Sequence, residues 1–233
     1  MQTASHSSAP PRPASWPMYR ALVGVGVACG LLIVSVYVLT LPVIARNEAE
    51  ALQRAVLQVL PGAVAKASFV FAADGTFHPA TEAGTGGETV HAGYDAEGHL
   101  VGVAVEGQGM GYQDVIRILY GYAPEQQVIV GMQVLASKET PGLGDKIEKD
   151  TAFLANFRAL DVRLAADGEN LEHEIAAVKR GTKTSPWQID GITGATISSK
   201  AIASILRLGS EQWVPRLYAR QADLASEGGP DGE

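Results

Sequence analysis

The sequence is poor in the residue types that build disulfides, metal centres and nucleic-acid interfaces. Its 233 residues include one cysteine, Cys29, which excludes an intramolecular disulfide framework and a cysteine-ligated zinc or iron–sulfur site. The five histidines are scattered, and no two have the spacing of metal ligands. Acidic residues outnumber basic ones by 25 to 18, and a net charge of −7 argues against a nucleic-acid partner, which needs a basic face.

Charge is also absent from one long stretch near the N-terminus. Residues 21–45 contain no charged side chain, and 25 helical residues at about 1.5 Å each exceed a hydrocarbon core of roughly 30 Å. The stretch therefore predicts a transmembrane helix over residues 21–45. A cleaved signal peptide is the main alternative, since Val43 and Ala45 resemble a small-residue cleavage site, although its apolar region would exceed the usual ~7–15 residues. A core helix so long and uniformly apolar is disfavoured.

The charges that flank this stretch predict its orientation. Arg12 and Arg20 precede it without any acidic residue, whereas mixed charges follow it. The arginine bias places the N-terminus in the cytoplasm and the remainder outside it. Residues 47–233 carry 15 basic and 25 acidic groups, so an acidic, soluble, extracytoplasmic domain is expected.

Hydrophobic periodicity in this domain predicts an α+β fold, with an antiparallel sheet backed by helices. Closely spaced runs rich in β-branched and aromatic residues indicate an antiparallel meander. The predicted strands are 67–72, 100–106, 115–122 and 127–136, with a weaker one at 174–180; the predicted turns and loops include GQGMG at 107–111 and a flexible loop at 82–88. Helices are predicted over 48–60, ending at Pro61, and over 151–160 and 198–212. The expected segments are a disordered cytoplasmic tail (1–20), the membrane helix (21–45), a connecting helix with the start of the soluble domain (46–90), the main domain (91–215) and an acidic disordered tail (216–233).

A Pro- and Gly-rich segment, KETPGLGDKIE at residues 138–148, follows the last predicted strand of the meander. Its composition specifies a tight loop with exposed backbone, which would let main-chain groups approach a flat ligand closely. The alternative is a hairpin turn in which Glu139, Asp145 and Lys146 are merely solvated, and composition alone favours this alternative.

A second segment, DGITGATISS at residues 190–199, places small residues and hydroxyls before a helix. A helix N-terminus has unsatisfied N–H groups and a positive dipole, so it suits a phosphate group. Capping of the helix by Thr196, Ser198 or Ser199 is the structural alternative. The segment matches neither the P-loop nor GxSxG, and no His–Asp pair supports a hydrolase.

With these two motifs, the sequence resembles the FMN-binding subunits of membrane redox pumps. It is more similar to the G subunit of the Rnf electron-transport complex than to the C subunit of the sodium-pumping NADH:quinone reductase. The flavinylation motif of that family, D-x-x-[ST]-G-A-T, corresponds to residues 190–196, and ETPGLGDKIE stands intact at 139–148. The resemblance covers roughly residues 20–215. Relatives tend to read GYxGxI where this chain has Asp114 in place of the second glycine, so no cofactor contact is carried over to that turn.

The resemblance implies FMN joined by a phosphoester to Thr196, installed by a separate FAD-dependent flavin transferase that uses a divalent metal. It also implies that the ETPGLG loop lies against the isoalloxazine ring, with Leu143 in apolar contact. Asp190 is expected to support the turn or be read by the transferase, and Lys183 and Lys200 either pair with the phosphate or are solvated. The cofactor-binding residues implied are Glu139, Thr140, Pro141, Gly142, Leu143, Gly144, Asp190, Thr193, Gly194, Ala195, Thr196 and Ser198, with no catalytic residue and no metal ligand.

The function implied is electron relay within an Rnf-type, ion-translocating complex of the ferredoxin:NAD oxidoreductase type. The protein would cross the bacterial inner membrane once, with its FMN domain in the periplasm and other membrane subunits as partners. The alternatives are a stand-alone membrane-anchored FMN carrier and a tethered binding or assembly module without flavin. A hydrolase with Thr196 as nucleophile lacks a base.

Overall fold

In the computed structural model, which describes residues 16–80 and 87–225, the chain begins with one long helix. Helix α1 covers Trp16–Val59 and continues through Pro42. Its apolar part meets the length and composition criteria for crossing a membrane, and none of that part is buried. The predicted tail boundary at residue 20 was wrong, because residues 16–20 are helical; residues 1–15 lie outside the described part. The chain divides after Ala49 into two compact units.

The described strands of the second unit include an antiparallel sheet of seven, in the order β2-β1-β3-β4-β5-β6-β7. The strands are β1 (Ala65–Phe71), β2 (Phe77–Pro79), β3 (Glu88–Tyr94), β4 (Leu100–Met110), β5 (Val115–Ala123), β6 (Val128–Ala136) and β7 (Leu160–Asp161). Successive pairing of β3, β4, β5 and β6 confirms the predicted meander. The loop predicted at 82–88 falls mostly outside the described residues, and Glu88 already belongs to β3.

The GQGMG segment is a correction to the predicted turns. Residues 107–110 form the end of β4 and pair with β5, and the turn follows at residues 111–114. The glycines here serve packing: a Cβ built on Gly107 or on Gly109 would lie 2.7 Å from the Ile205 side chain. Ile205 belongs to helix α4 (Thr196–Ala219), so these glycines allow this helix to lie close against the sheet.

The opposite face of the sheet carries a groove lined by four glycines on neighbouring strands. A Cβ on any of them would meet the chain at Val59 or Leu60, where α1 ends; they are Gly93, Gly102, Gly121 and Gly131. Val59 and Leu60 are almost completely buried, and the end of α1 just before Pro61 matches the prediction. The glycine groove therefore holds the end of this helix.

The segment between β6 and α4 contains short elements that frame the site. These are α2 (Lys146–Lys149), α3 (Thr151–Leu154), a 3-10 helix (Ala155–Arg158), and the strands β8 (Ala176–Val178) and β9 (Gln188–Asp190). β8 and β9 pair in parallel. The helix predicted over 151–160 is thus an α-helical turn followed by a 3-10 turn, and the weak strand predicted at 174–180 is present as β8.

The predicted disorder from residue 216 was wrong for the part that is described. Helix α4 continues to Ala219, and α5 covers Gln221–Ala225. The Leu224 side chain is fully buried, and the Tyr94 hydroxyl donates a 2.6 Å hydrogen bond to the Leu224 carbonyl. Apolar burial therefore orders this segment; residues 226–233 lie outside the described part.

Candidate functional site

The ETPGLG loop leaves β6 and leads into α2, so it is not a hairpin turn. The Leu143 N–H donates to the Thr140 carbonyl at 3.1 Å, which closes a tight turn. Gly142 has φ +78°, a backbone conformation that other residues adopt at a cost. Its N–H donates to the Asp145 carboxylate at 2.6 Å. The predicted tight loop is therefore present, with its backbone exposed at Gly142.

Glu139, at the start of this loop, is buried rather than solvated, with 6% of its surface exposed. One carboxylate oxygen accepts the N–H groups of Tyr112 and Gln113, at 2.8 and 3.0 Å. The other accepts the Ser198 hydroxyl at 2.5 Å. Burial by itself raises the pKa of Glu139, but these hydrogen bonds outweigh it and hold the pKa below its ordinary value. Glu139 is therefore an ionised, buried acceptor.

The second motif forms the approach to α4 and its first turn. Gly194 has φ +85°, and Ala195 is the N-cap residue, with no side-chain capping bond. Thr196 is the first residue of the helix and is exposed. Within the described part of the chain, no hydrogen bond engages the Thr196 hydroxyl. The capping alternative thus does not account for Thr196.

The two serines after Thr196 are buried and have structural partners. Ser199 donates to the Ala195 carbonyl at 2.9 Å and accepts the Ile192 N–H at 3.1 Å, which fastens the loop to the helix. Ser198 donates to Glu139. The four hydroxyl residues of this motif are therefore divided between two buried, structural serines and two exposed threonines, Thr193 and Thr196.

Asp190 supports a neighbouring turn, which is the first of the two roles expected for it. Its carboxylate accepts the Gly181 N–H at 2.7 and 2.9 Å and the Thr182 N–H at 3.3 Å. The Asn156 side chain bonds both the N–H and the carbonyl of Asp190. Lys183 donates to the same Asn156 side chain at 3.2 Å, which ties it to this structural network.

The fold brings the two motifs together around a cavity of about 310 Å³. Tyr112 of the β4–β5 turn lines it together with residues of both motifs: Glu139, Thr140, Leu143, Gly144, Gly194, Ala195, Thr196, Ile197 and Ser198. Pro141, Gly142, Asp190 and Thr193 do not line this cavity. Asp114, in place of the second glycine, had weakened the case for a cofactor contact by the turn that contains Tyr112, and Ile197 was not singled out from the sequence. The signal for Ile197 was an apolar residue outside the buried stripe of an amphipathic helix.

Apolar side chains dominate the mouth of this cavity. Tyr112, Leu143 and Ile197 are 68%, 52% and 54% exposed. Large apolar groups around a cleft typically mark a ligand site. A flat aromatic ring system matches these walls, and the first turn of α4 beside them offers the N–H groups of a helix N-terminus, which suit an anionic group.

A second cavity, of about 580 Å³, also borders Thr196. Gly194 and Thr196 line both cavities. The second is basic, with Lys179, Arg180 and Lys200 among its lining residues. Lys146 approaches the motif too, since its Nζ lies 4.0 Å from a Cβ built on Gly194. Within the described residues, no cluster of three or more His, Cys, Asp or Glu side chains could hold a metal ion.

Sequence comparison agrees with this arrangement. Residues 111–209 match the family model of the FMN-binding domain. Both motifs and every lining residue of the first cavity fall within this stretch. The resemblance to FMN-binding proteins is therefore confirmed there, over a shorter range than 20–215.

Curated relatives belong to redox complexes. The chain is 35% identical over 114 residues to the G subunit of the ion-translocating oxidoreductase complex of Methanosarcina acetivorans, covering 49% of this chain and 52% of the relative. It is 34% identical over 110 residues to the G subunit of the Na(+)-translocating ferredoxin:NAD(+) oxidoreductase complex of Acetobacterium woodii, covering 47% of each. The chain spans about half the length of the curated relatives it matches.

Solved structures confirm the predicted fold class. NqrC of Shewanella oneidensis aligns with a TM-score of 0.57 at 18% identity, covering 76% of this chain and 99% of that one. The C subunit of the Na(+)-translocating NADH-quinone reductase from Parabacteroides distasonis gives 0.58 at 19% identity, covering 76% and 96%. At this identity the likeness concerns the fold.

Proposed function

We propose that this protein is a membrane-anchored flavoprotein subunit of an ion-translocating electron-transport complex, and that its FMN is joined by a phosphoester to Thr196. The observation that carries the proposal is the position of Thr196. Thr196 is exposed at the start of α4, on the rim of a cavity built from both motifs, and its hydroxyl bonds to nothing in the described ranges 16–80 and 87–225. The FMN-binding family match over residues 111–209 supplies the cofactor class.

The side chains around Thr196 suit the attachment reaction. The Thr196 oxygen forms a bond to phosphorus of the flavin nucleotide in FAD, the bond to the AMP part breaks, and the hydroxyl proton passes to a base. A threonine hydroxyl is a weak nucleophile, and none of the residues lining the cavity near it is placed as a free base, since Glu139 is already occupied. The transferase must therefore provide the base, and Gly194 and Ala195 leave room for its approach.

Once attached, FMN supplies the electron-transfer chemistry, and the chain's own residues bind and orient it. Leu143, Ile197 and Tyr112 offer apolar surface to the ring. The N–H groups and dipole of the first turn of α4 favour the negative phosphate. Lys200, in the basic cavity, is the lysine of the predicted pair that remains a phosphate partner, because Lys183 is bonded to Asn156.

The proposed membrane location and partners are supported by α1 and by the relatives. A helix of this length and composition, in a chain similar to the G subunits of such complexes, supports an inner-membrane protein. We place the N-terminus in the cytoplasm and the FMN domain in the periplasm, from the arginine bias. Other membrane subunits and a flavin transferase are the proposed partners. Ion movement belongs to the complex, since residues 21–45 hold no charged group.

Co-expression with a flavin transferase, followed by denaturing electrophoresis and in-gel flavin fluorescence, tests the attachment. Wild type is expected to fluoresce and Thr196→Val to be dark. Thr151→Val is a matched control, because Thr151 is likewise exposed and begins a helix, α3. A dark wild type refutes covalent FMN and favours a module without flavin, whereas a fluorescent Thr196→Val refutes attachment to Thr196. Purification without other membrane subunits would favour the stand-alone carrier.

A further inference from the structure

Glu139 is a buried carboxylate that the proposed electron-transfer chemistry does not use. Its oxygens are shared between two segments distant in sequence: the turn at Tyr112 and Gln113, and Ser198 of α4. Glu139 itself belongs to the ETPGLG loop. Through this side chain, the loop after β6 is bonded both to the β4–β5 turn and to the first turn of α4.

The space around this carboxylate is closed by two glycines. A Cβ built on Gly111 would collide with one carboxylate oxygen, and a Cβ built on Gly144 would collide with the other. The Cβ built on Gly144 would also lie 3.0 Å from the Ser198 hydroxyl oxygen. Backbone approaches the carboxylate from both sides, so its position is sterically as well as electrostatically defined.

The bond to Ser198 acts close to the proposed attachment site. Ser198 is two residues after Thr196 in the same helical turn, and 2% of its surface is exposed. Resting on the proposed function, we infer that Glu139 and Ser198 form a clamp that positions Thr196 at the rim of the apolar cavity. They are positioning residues, rather than the contacts with FMN that the family resemblance implied.

The clamp depends on hydrogen bonding, so a glutamine can replace Glu139. The Gln carbonyl accepts the Tyr112 and Gln113 N–H groups, while its NH₂ donates to the Ser198 oxygen. Glu139→Ala removes all of these bonds. Ser198→Ala removes only the bond between loop and helix, with a change of a single oxygen atom, and leaves the turn bonded.

The experiment follows the rate of flavin attachment to the full-length chain co-expressed with transferase, by in-gel fluorescence per unit protein over time. Glu139→Ala and Ser198→Ala are expected to slow attachment by roughly tenfold to a hundredfold, as expected when a reacting group is misplaced by about 1 Å. Glu139→Gln is expected to stay within about threefold of wild type. The double variant Glu139→Ala/Ser198→Ala should be no slower than Glu139→Ala, because Glu139→Ala already breaks the one bond that Ser198→Ala removes. Glu148→Ala, an exposed carboxylate on α2, is the control.

Hydrogen exchange on the protein without flavin keeps the test decisive. In Glu139→Ala, the amides of Tyr112 and Gln113 lose their acceptor and should exchange faster. The amide of Ser199, which bonds the Ala195 carbonyl in the first turn of α4, should also exchange faster, while β4 and β5 stay protected. If β4 and β5 also lose protection, Glu139→Ala has destabilised the sheet itself, and the attachment rate of Ser198→Ala then tests the clamp. Wild-type attachment rates in Ser198→Ala, or equal losses in Glu139→Gln and Glu139→Ala, overturn the clamp. A dark wild type overturns the proposed function and the clamp with it. If wild type is fluorescent and Glu139→Ala acquires flavin at the same rate, the clamp alone is overturned.

Discussion

Gly121→Ala is expected to destabilise the soluble unit, because the glycine groove has no room for a methyl group. A Cβ at Gly121 would collide with the Val59 carbonyl oxygen and lie 2.8 Å from the Leu60 side chain. The colliding oxygen is backbone at the end of α1, which cannot rotate away as a side chain can. Either the helix end lifts from the sheet or β5 shifts.

The cost follows from overpacking of a filled core. Insertion of a methyl group into a well-packed site costs about 1–3 kcal/mol, and each kcal/mol lowers the melting temperature of a domain of this size by about 2–4 °C. We therefore expect a decrease of about 4–8 °C for a cost of about 2 kcal/mol. Because Val59 and Leu60 are almost fully buried, little of this cost can be relieved by exposure of the helix end.

The assay is thermal unfolding of the full-length protein in detergent, followed by circular dichroism. Gly24→Ala is the matched control, since a Cβ there meets nothing within 4 Å. Its melting temperature should equal or slightly exceed that of wild type, because alanine is the better helix former. A Gly121→Ala protein that melts within about 1 °C of wild type would refute the packing argument.

Three further predictions concern the rest of the domain. The pKa of Glu139 is lower in the folded chain than in the unfolded one. The stabilisation that the ionised carboxylate provides is therefore full above the unfolded pKa of about 4.3 and is lost as pH falls through the folded pKa. The unfolding free energy of wild type, measured with urea, should fall more steeply below about pH 4.3 than that of Glu139→Gln, and parallel curves of free energy against pH would contradict this. Asp190→Ala should speed amide exchange at Gly181 and Thr182, and unchanged exchange there would show that its carboxylate does not hold the turn. Leu224→Ala should cost about 2–5 kcal/mol in unfolding free energy, and a loss below about 0.5 kcal/mol would return this segment to the disordered tail.

The sheet was largely predictable, because its central strands are runs of β-branched and aromatic residues separated by short turns. The end of β4 was missed because Gly107 and Gly109 are normally turn residues, and here their lack of a side chain serves contact with Ile205. The two or three residues of β7 and β9 depend on pairing with distant strands, which no local pattern encodes. Residues 216–225 were assigned to the tail from the acidic, Gly-rich composition that follows them, although Leu224 was an apolar signal.

For the site, the two motifs were predictable, but which of their residues are buried and structural and which face the cavity was not. The loop, the helix start and the exposed Thr196 agree with the sequence patterns. The burial of Glu139 depends on partners 27 and 59 residues away, so a charged residue in a polar loop gave no local signal of it. Tyr112 joins the cavity for the same reason, since only the folded chain brings the β4–β5 turn beside the ETPGLG loop.

Peptide mass spectrometry tests the central claim most directly. Tryptic cleavage after Lys183 and Lys200 yields the peptide TSPWQIDGITGATISSK, which contains Thr196 and five other hydroxyl residues. In protein co-expressed with a transferase, this peptide should carry the mass of FMN less one water, and fragmentation should locate it on Thr196. An unmodified peptide, or FMN located on Thr193 or another hydroxyl, would contradict the account.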